Sequence, residues 1–330
     1  MFPSLALIRK LPSGFLLFKG GFMQYYLLVV LGQAMLGLAH FSHKLFSRKS
    51  GSFIPTGTLY SALISLFSLP IFSIIAGSAL ALDTDIAIYS TAYGILASLS
   101  QVMIFVAFSR VNMVVYSVFC KASSILVCLC GFIFFGDEIK FTSVFSIVLL
   151  ALAISLPLLE MKKKEGGKGS LASLIICVIM MLNGLFISLV MKWFADLKPS
   201  FERSSALFFY ANLITAITLF SVLLVIARKK KGDKTVVFSE YRIGISEVIK
   251  KVPTPFYILI PITATIANIP CVTNTMCLQN MDLAVYTILL NAAESLVLFL
   301  ISRLIFKERS TRLEITALVL STVAGIVTVF

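Results

Sequence analysis

Long apolar runs separated by short charged turns dominate the chain. A helix needs roughly 20 apolar residues to cross about 30 Å of hydrocarbon. The runs predict spans at 23–43, 57–80, 86–108, 111–135, 141–159, 170–194, 205–227, 256–279, 282–306 and 312–330. They are continuous and do not alternate with period two, so the pattern predicts helices and not a barrel. The apolar stretch of residues 1–22 is short and interrupted by Arg9, Lys10, Pro12 and Lys19, with no small-residue cleavage site. That segment reads as an interfacial tail and not as a removable leader. The longest loop, 228–255, holds Tyr241 to Ile249, which reads either as a short amphipathic helix on the membrane surface or as an unstructured loop.

Composition agrees with this reading. Apolar residues make up 59% of the chain and charged residues 13%, whereas a soluble domain carries about 25% charge. The mean hydropathy is +1.00. The six cysteines (Cys120, Cys128, Cys130, Cys177, Cys271 and Cys277) all fall inside predicted spans without metal-ligand spacing, so they read as small packing residues. The net charge of +13 comes largely from loop clusters such as Lys162–Lys164 and Arg228–Lys231. In a soluble protein such a charge would suggest nucleic acid; in these short loops it fits a surface facing anionic lipid.

The two halves resemble each other. With an offset of 170 residues, Val115-Tyr116-Ser117 falls on Val285-Tyr286-Thr287, Ala122 on Ala292, Leu126-Val127 on Leu296-Val297 and Glu138 on Glu308. His43-Lys44-Leu45-Phe46 also matches Met191-Lys192-Trp193-Phe194 loosely. Five helices per copy is an odd number, so the second copy enters the membrane from the opposite side. Inverted repeats of this kind are a transporter architecture, with a site near the midplane. The expected organisation is a tail (1–22), a first five-helix repeat (23–159), a basic flexible linker (160–169) and a second repeat (170–330). The odd-numbered loops carry most of the Lys and Arg, which places them in the cytoplasm and both termini outside.

Met281-Asp282-Leu283-Ala284-Val285-Tyr286, Arg303-Leu304-Ile305-Phe306-Lys307-Glu308-Arg309 and the matching turn Phe134-Phe135-Gly136-Asp137-Glu138 resemble the drug/metabolite transporter superfamily, in its ten-helix form with two EamA-like halves. The resemblance spans about 23–330. It implies an all-α fold of ten membrane helices in two inverted five-helix repeats, with the fifth and tenth helices peripheral. It also implies both termini in the cytoplasm, against the loop charges, which weigh slightly more here. Small multidrug members of that superfamily carry a glutamate eight residues before a lysine in the first helix. The corresponding positions are Leu36 (before Lys44) and Gly184 (before Lys192), so their proton-for-cation exchange is in doubt for this chain.

Ionisable groups at bilayer depth are functional candidates by default. Lys121 and Glu294 lie midway along the fourth and ninth spans, and a pair across the repeat interface would lower the cost of both. Lys121 could bind a substrate anion; Glu294 could bind a cation or carry a proton. The alternative role for the pair is purely structural. Gln33, Gln101, Asn183, Asn274 and Asn291 sit at similar depth, as do His40 and Asn268. Each amide is expected to face inward, for interhelical bonding or for substrate. Tyr116 and Tyr286, with Tyr93 and Tyr210, could stack on a planar substrate or pack the core, and Pro261 and Pro270 would kink the eighth span. The sequence contains no hydrolase triad, Gly-rich phosphate loop or zinc motif.

The expectation is a secondary transporter of the cell (plasma or inner) membrane that is not an enzyme and needs no cofactor. Its partners would be a small organic metabolite or drug, the lipid bilayer and a proton or counter-substrate, with no nucleic acid, in a monomer or homodimer. A lipid-carrier flippase or a non-transporting scaffold is the alternative.

Overall fold

The computed structural model describes residues 23–50, 54–110, 113–164, 168–228, 245–250, 252–307 and 311–329. Within them, the side chains of 107–110, 113–122, 157–164, 168–177, 226–228, 245–247 and 328–329 and of Met23, Ser295 and Glu314 lie outside the description. The helices are α1 (Met23–Lys49), α2 (Ile54–Ala76), α3 (Thr84–Arg110), α4 (Met113–Phe134), α5 (Phe141–Lys164), α6 (Lys168–Asp196), α7 (Phe201–Arg228), α8 (Ile245–Lys250), α9 (Pro255–Leu278), α10 (Leu283–Leu304) and α11 (Arg312–Val329). A single 3-10 turn, Gly77–Leu80, follows α2, and no strand occurs among the described residues.

Seven helices (α1, α2, α3, α6, α7, α9 and α10) are long and apolar enough to cross a membrane. Their outward faces carry exposed Ile74, Ile88, Ile217, Ile258 and Leu300, side chains that water would reject and lipid accepts. This is an all-helical, multi-pass membrane protein. Helices α4, α5 and α11 contribute shorter described apolar stretches, Ser123–Phe134, Phe141–Leu156 and Ile315–Val327.

The helices pack in a paired pattern. Helix α2 crosses α7, α4 lies on α10, and α5 lies on α11. Helix α1 touches α9 and α10, while α6 touches α3 and α4. The alternate connections gather at one end. Arg203 at the start of α7 reaches Asp83 (2.8 Å) and Asp85 (3.0 Å) before and within the first turn of α3. Gln279 Nε2 donates to Pro199 O at 2.9 Å, and Ala284 N at the start of α10 donates to Asp137 Oδ2 at 2.9 Å. At the opposite end, the Arg48 guanidinium lies 4.6 Å from the Phe306 ring centroid.

Three expectations change here. Residues 160–164 of the expected 160–169 linker continue α5 and 168–169 open α6; residues 165–167 lie outside the description. Lys and Glu are good helix formers, and charge alone does not end a helix. Helix α1 runs six residues beyond its expected end at 43, because Lys44 and Ser47 are buried and not solvated. The short helix of the long loop covers Ile245–Lys250, and its buried Val248 belongs to the same apolar cluster as Phe46, Leu59 and Phe256; residues 241–244 and the tail 1–22 lie outside the description.

Asp83 caps α3: its Oδ1 accepts the Ile86 N–H at 2.7 Å. That hydrogen bond, ahead of nearby Arg203, holds the carboxyl below its ordinary range. A lowered carboxylate adds stability above its unfolded value, and this is lost as pH falls through the folded one. Asp83→Ala is therefore expected to cost about 1 kcal/mol at pH 6. The deficit should shrink only below about pH 4. Thermal unfolding in detergent at the two pH values checks this, and an equal deficit at both would exclude the cap.

Candidate functional site

A cavity of about 330 Å³ lies among α1, α3, α4, α6, α9 and α10, with Phe208 of α7 at its edge. Seven of the nine candidates line it: Gln33, Gln101, Asn183, Asn274, Tyr286, Asn291 and Glu294. The other two, Lys121 and Tyr116, sit on α4 with side chains outside the description. Tyr93 and His40 join the lining, whereas Tyr210 turns away and donates to Leu80 O at 2.6 Å.

Glu294 is buried on α10, and its Oε1 lies 3.1 Å from His40 Nδ1 on α1. This is an ion-pair distance, outside hydrogen-bond alignment. The expected partner of Glu294 was Lys121; the described neighbour is a histidine on the first helix. No sequence offset relates His40 to Glu294. They meet because α1 packs directly on α10. One turn further along α1, His43 places its Nδ1 2.8 Å from Ala39 O and its ring edge-on to Tyr60.

The amides divide into two groups. Asn291 Nδ2 donates to Ser124 Oγ on α4 and to Thr287 O at 2.6 Å, joining the halves. Gln101 Oε1 accepts from Ser61 Oγ at 3.0 Å. Asn268 donates to Ser68 and lies away from the cavity, a packing residue. By contrast, both polar atoms of Gln33 are buried without a hydrogen-bond partner. The side-chain oxygens of Asn183 and Asn274 are in the same condition, although Asn183 Nδ2 donates to Leu96 O (3.1 Å) and to Ser100. A buried amide atom left unpaired costs about 1–3 kcal/mol.

The glycines permit this arrangement. A Cβ on Gly32 would sit 3.5 Å from Asn274 Oδ1 and from Pro270 Cβ, so α1 and α9 meet closely beside Gln33. A Cβ on Gly184 would meet Ser123 Oγ at 2.9 Å. Where a glutamate would stand in the small multidrug pattern, this chain keeps α6 tight against α4.

The cavity ends differ. Toward the Arg48 end, Phe46 stacks on Tyr60 at 4.3 Å, with Phe105 and Phe256 edge-on. Toward the Asp83 end, Lys192 Nζ reaches Leu278 O at 3.2 Å and Asp196 at 3.1 Å, and lies 5.9 Å from the Phe135 ring centroid.

No family model and no curated protein matches the chain. Solved structures do match. One, described only as the crystal structure of a protein, aligns over 92% of this chain and 96% of its own with a TM-score of 0.59 and 13% identity. The fold is therefore one already seen in a solved protein; at this identity the likeness concerns the fold alone.

Proposed function

We propose that the chain is a secondary active transporter that moves a small organic metabolite or drug across the cell membrane by alternating access, in the manner of the drug/metabolite transporter superfamily. Its helices form ten crossings in two inverted repeats, 23–159 and 170–330. The packing supports this reading. Exchanging α1–α5 for α6, α7, α9, α10 and α11 in that order turns the α1–α9 contact into α6–α3 and the α1–α10 contact into α6–α4, both of which occur. The α2–α7, α4–α10 and α5–α11 contacts map onto themselves. The gathering of the alternate loops at one end fits ten crossings.

The observation that carries the function is the set of unpaired amide atoms on Gln33, Asn183 and Asn274 inside a cavity drawn from both halves. A scaffold that only packs helices gains nothing from leaving them unpaired, whereas a ligand would satisfy them. The aromatic stack at one end and the Lys192 contacts at the other then serve as alternating barriers. A proton or counter-substrate supplies the driving force.

Counterflow into proteoliposomes, screened over a metabolite panel, tests the reading. At least one radiolabelled compound should exchange, and Glu294→Gln should reduce the initial rate by roughly tenfold or more, the scale of one lost charge-assisted contact. Full exchange by the variant would remove Glu294 from the site. Exchange of none of the panel, by protein shown to be folded, would count against transport.

A further inference from the structure

We propose that the ligand of this cavity is an uncharged primary carboxamide on a small aromatic body, held through its amide group by Gln33 and Asn274. The proposal rests on the transport reading and names the class of molecule moved.

The unbonded amide atoms of the lining point to this class. Gln33 is fully buried on α1 and lines the cavity with neither side-chain polar atom bonded. Whichever way its amide is turned, it offers one donor group and one acceptor. Asn274 on α9 adds an unbonded acceptor. The two helices meet closely here, since a Cβ on Gly32, the neighbour of Gln33, would lie 3.5 Å from Asn274 Oδ1. Asn183 on α6 adds another acceptor. Its Nδ2 donates to Leu96 O at 3.1 Å, and a carbonyl accepts only from the nitrogen end of an amide, so the unbonded end is oxygen. Among these three side chains, unbonded acceptors outnumber the unbonded donor group three to one.

A ligand that satisfies this set needs more N–H than C=O. A carboxylate, an ester or a tertiary amide brings acceptors without an N–H and sets oxygen against oxygen. A primary carboxamide brings two N–H donors and one carbonyl. The carbonyl accepts from Gln33 Nε2, one N–H donates to Gln33 Oε1, and the other N–H donates to Asn274 Oδ1. Asn183 Oδ1 is left to accept from a donor on the body. A site whose buried polar groups need partners rejects an analogue that lacks them.

The rest of the wall sets the body. Leu36, Leu290, Tyr93 and Tyr286 line it, and Tyr93 is held edge-on against Phe208 at 5.4 Å. An aryl ring suits these apolar and aromatic surfaces. A cavity of about 330 Å³ is at the small end for organic ligands. It takes a molecule on the order of a dozen heavy atoms.

Four probes on one ring test the class. Benzamide carries both N–H donors. N,N-dimethylbenzamide and methyl benzoate keep the carbonyl and lose the donors, and benzoate replaces them with an anionic oxygen. Calorimetric titration of the full chain in detergent is expected to rank benzamide first. Loss of the donors should weaken Kd by about tenfold or more, and benzoate should bind least. Gln33→Met removes one donor group and one acceptor at nearly constant shape, and should erase the advantage of benzamide over methyl benzoate. Because Gln33 has no hydrogen-bond partner within the protein, that variant should unfold no earlier than the unmodified chain. Benzamide should raise the unfolding temperature of the unmodified chain and leave that of the variant unchanged.

No binding of benzamide, or methyl benzoate or benzoate binding as tightly, overturns the proposal on the unmodified protein alone. Unfolding of Gln33→Met several degrees early also overturns it, since Gln33 would then be engaged in packing. Counterflow separates the two levels of the reading. Binding of benzamide with no exchange in proteoliposomes removes transport and leaves the ligand class. Exchange of benzoate with none of benzamide removes the ligand class and leaves transport.

Discussion

Gly94→Leu is expected to be among the most damaging single substitutions in the protein. A Cβ on Gly94 of α3 would lie 2.8 Å from the backbone oxygen of Ala211 and 2.9 Å from Ile214 Cβ, both on α7. Neither atom can swing aside, because one is main chain and the other is fixed to it. Thr215 Oγ1 also donates to Gly94 O (3.0 Å) and to Ala211 O (2.8 Å), which ties the helices together at the point of closest approach. In lipid, small residues at crossings provide the packing that water would otherwise drive. Overpacking of this kind costs about 1–3 kcal/mol. Here Tyr93 and Ala97, which line the cavity, flank the crossing and would move with α3. The prediction is a loss of several degrees in thermal unfolding in detergent, with Gly94→Ala shifted less in the same direction. Gly136→Ala is the contrasting case. That glycine has φ +68° and nothing within 4 Å of an added Cβ, so only the backbone conformation opposes the change. If Gly94→Leu unfolds no earlier than Gly136→Ala, the close crossing is wrong.

Tyr60→Ala is expected to be comparably severe for the opposite reason. Tyr60 is fully buried and stacks on Phe46 at 4.3 Å, and its ring stands edge-on to His43 at 5.6 Å and Phe256 at 6.0 Å. Its hydroxyl donates to Ser42 Oγ at 3.2 Å and sits 3.3 Å from Thr263 Oγ1. Truncation would leave a hole between α2, α1 and α9, where the rings of Phe46, His43 and Phe256 would lose a contact. Removing a buried aromatic costs about 3–5 kcal/mol. Removing the hydroxyl alone, in Tyr60→Phe, should cost about 1 kcal/mol. The gap between the two variants measures the stack. Equal stabilities in thermal unfolding would show that the hydroxyl, and not the ring, holds this end together.

Much of the helix layout was legible from hydropathy alone, since each span answers to the same requirement of length and apolarity whatever its neighbours do. The ends were less legible. Lys44 and Ser47 read as the close of the first span, yet they are buried in the continuing α1. The charged residues 160–164 read as linker, yet they are helical. Polarity marks a segment as unsuited to lipid, but protein contact or interfacial solvation satisfies the same groups within a helix. The position of Glu294 midway along its helix was legible by counting residues along its span. That His40 stands beside it was not, because this depends on which helix packs against α10 and how both are rotated.

Asn268 and Asn274 show where the division falls. Both are amides on α9, and a sequence reading treats them alike. Six residues of helix turn them to positions about 120° apart around the axis. One faces α2 and is bonded to Ser68; the other faces the cavity with its oxygen unpaired. The sequence by itself determined that this is a helical membrane protein with apolar segments of spanning length and costly polar groups at depth, because hydrocarbon thickness and desolvation act on each segment separately. Only the tertiary structure decided which of those groups share a cavity and which are consumed in packing, because that follows from helix rotation and neighbours, which no single segment encodes.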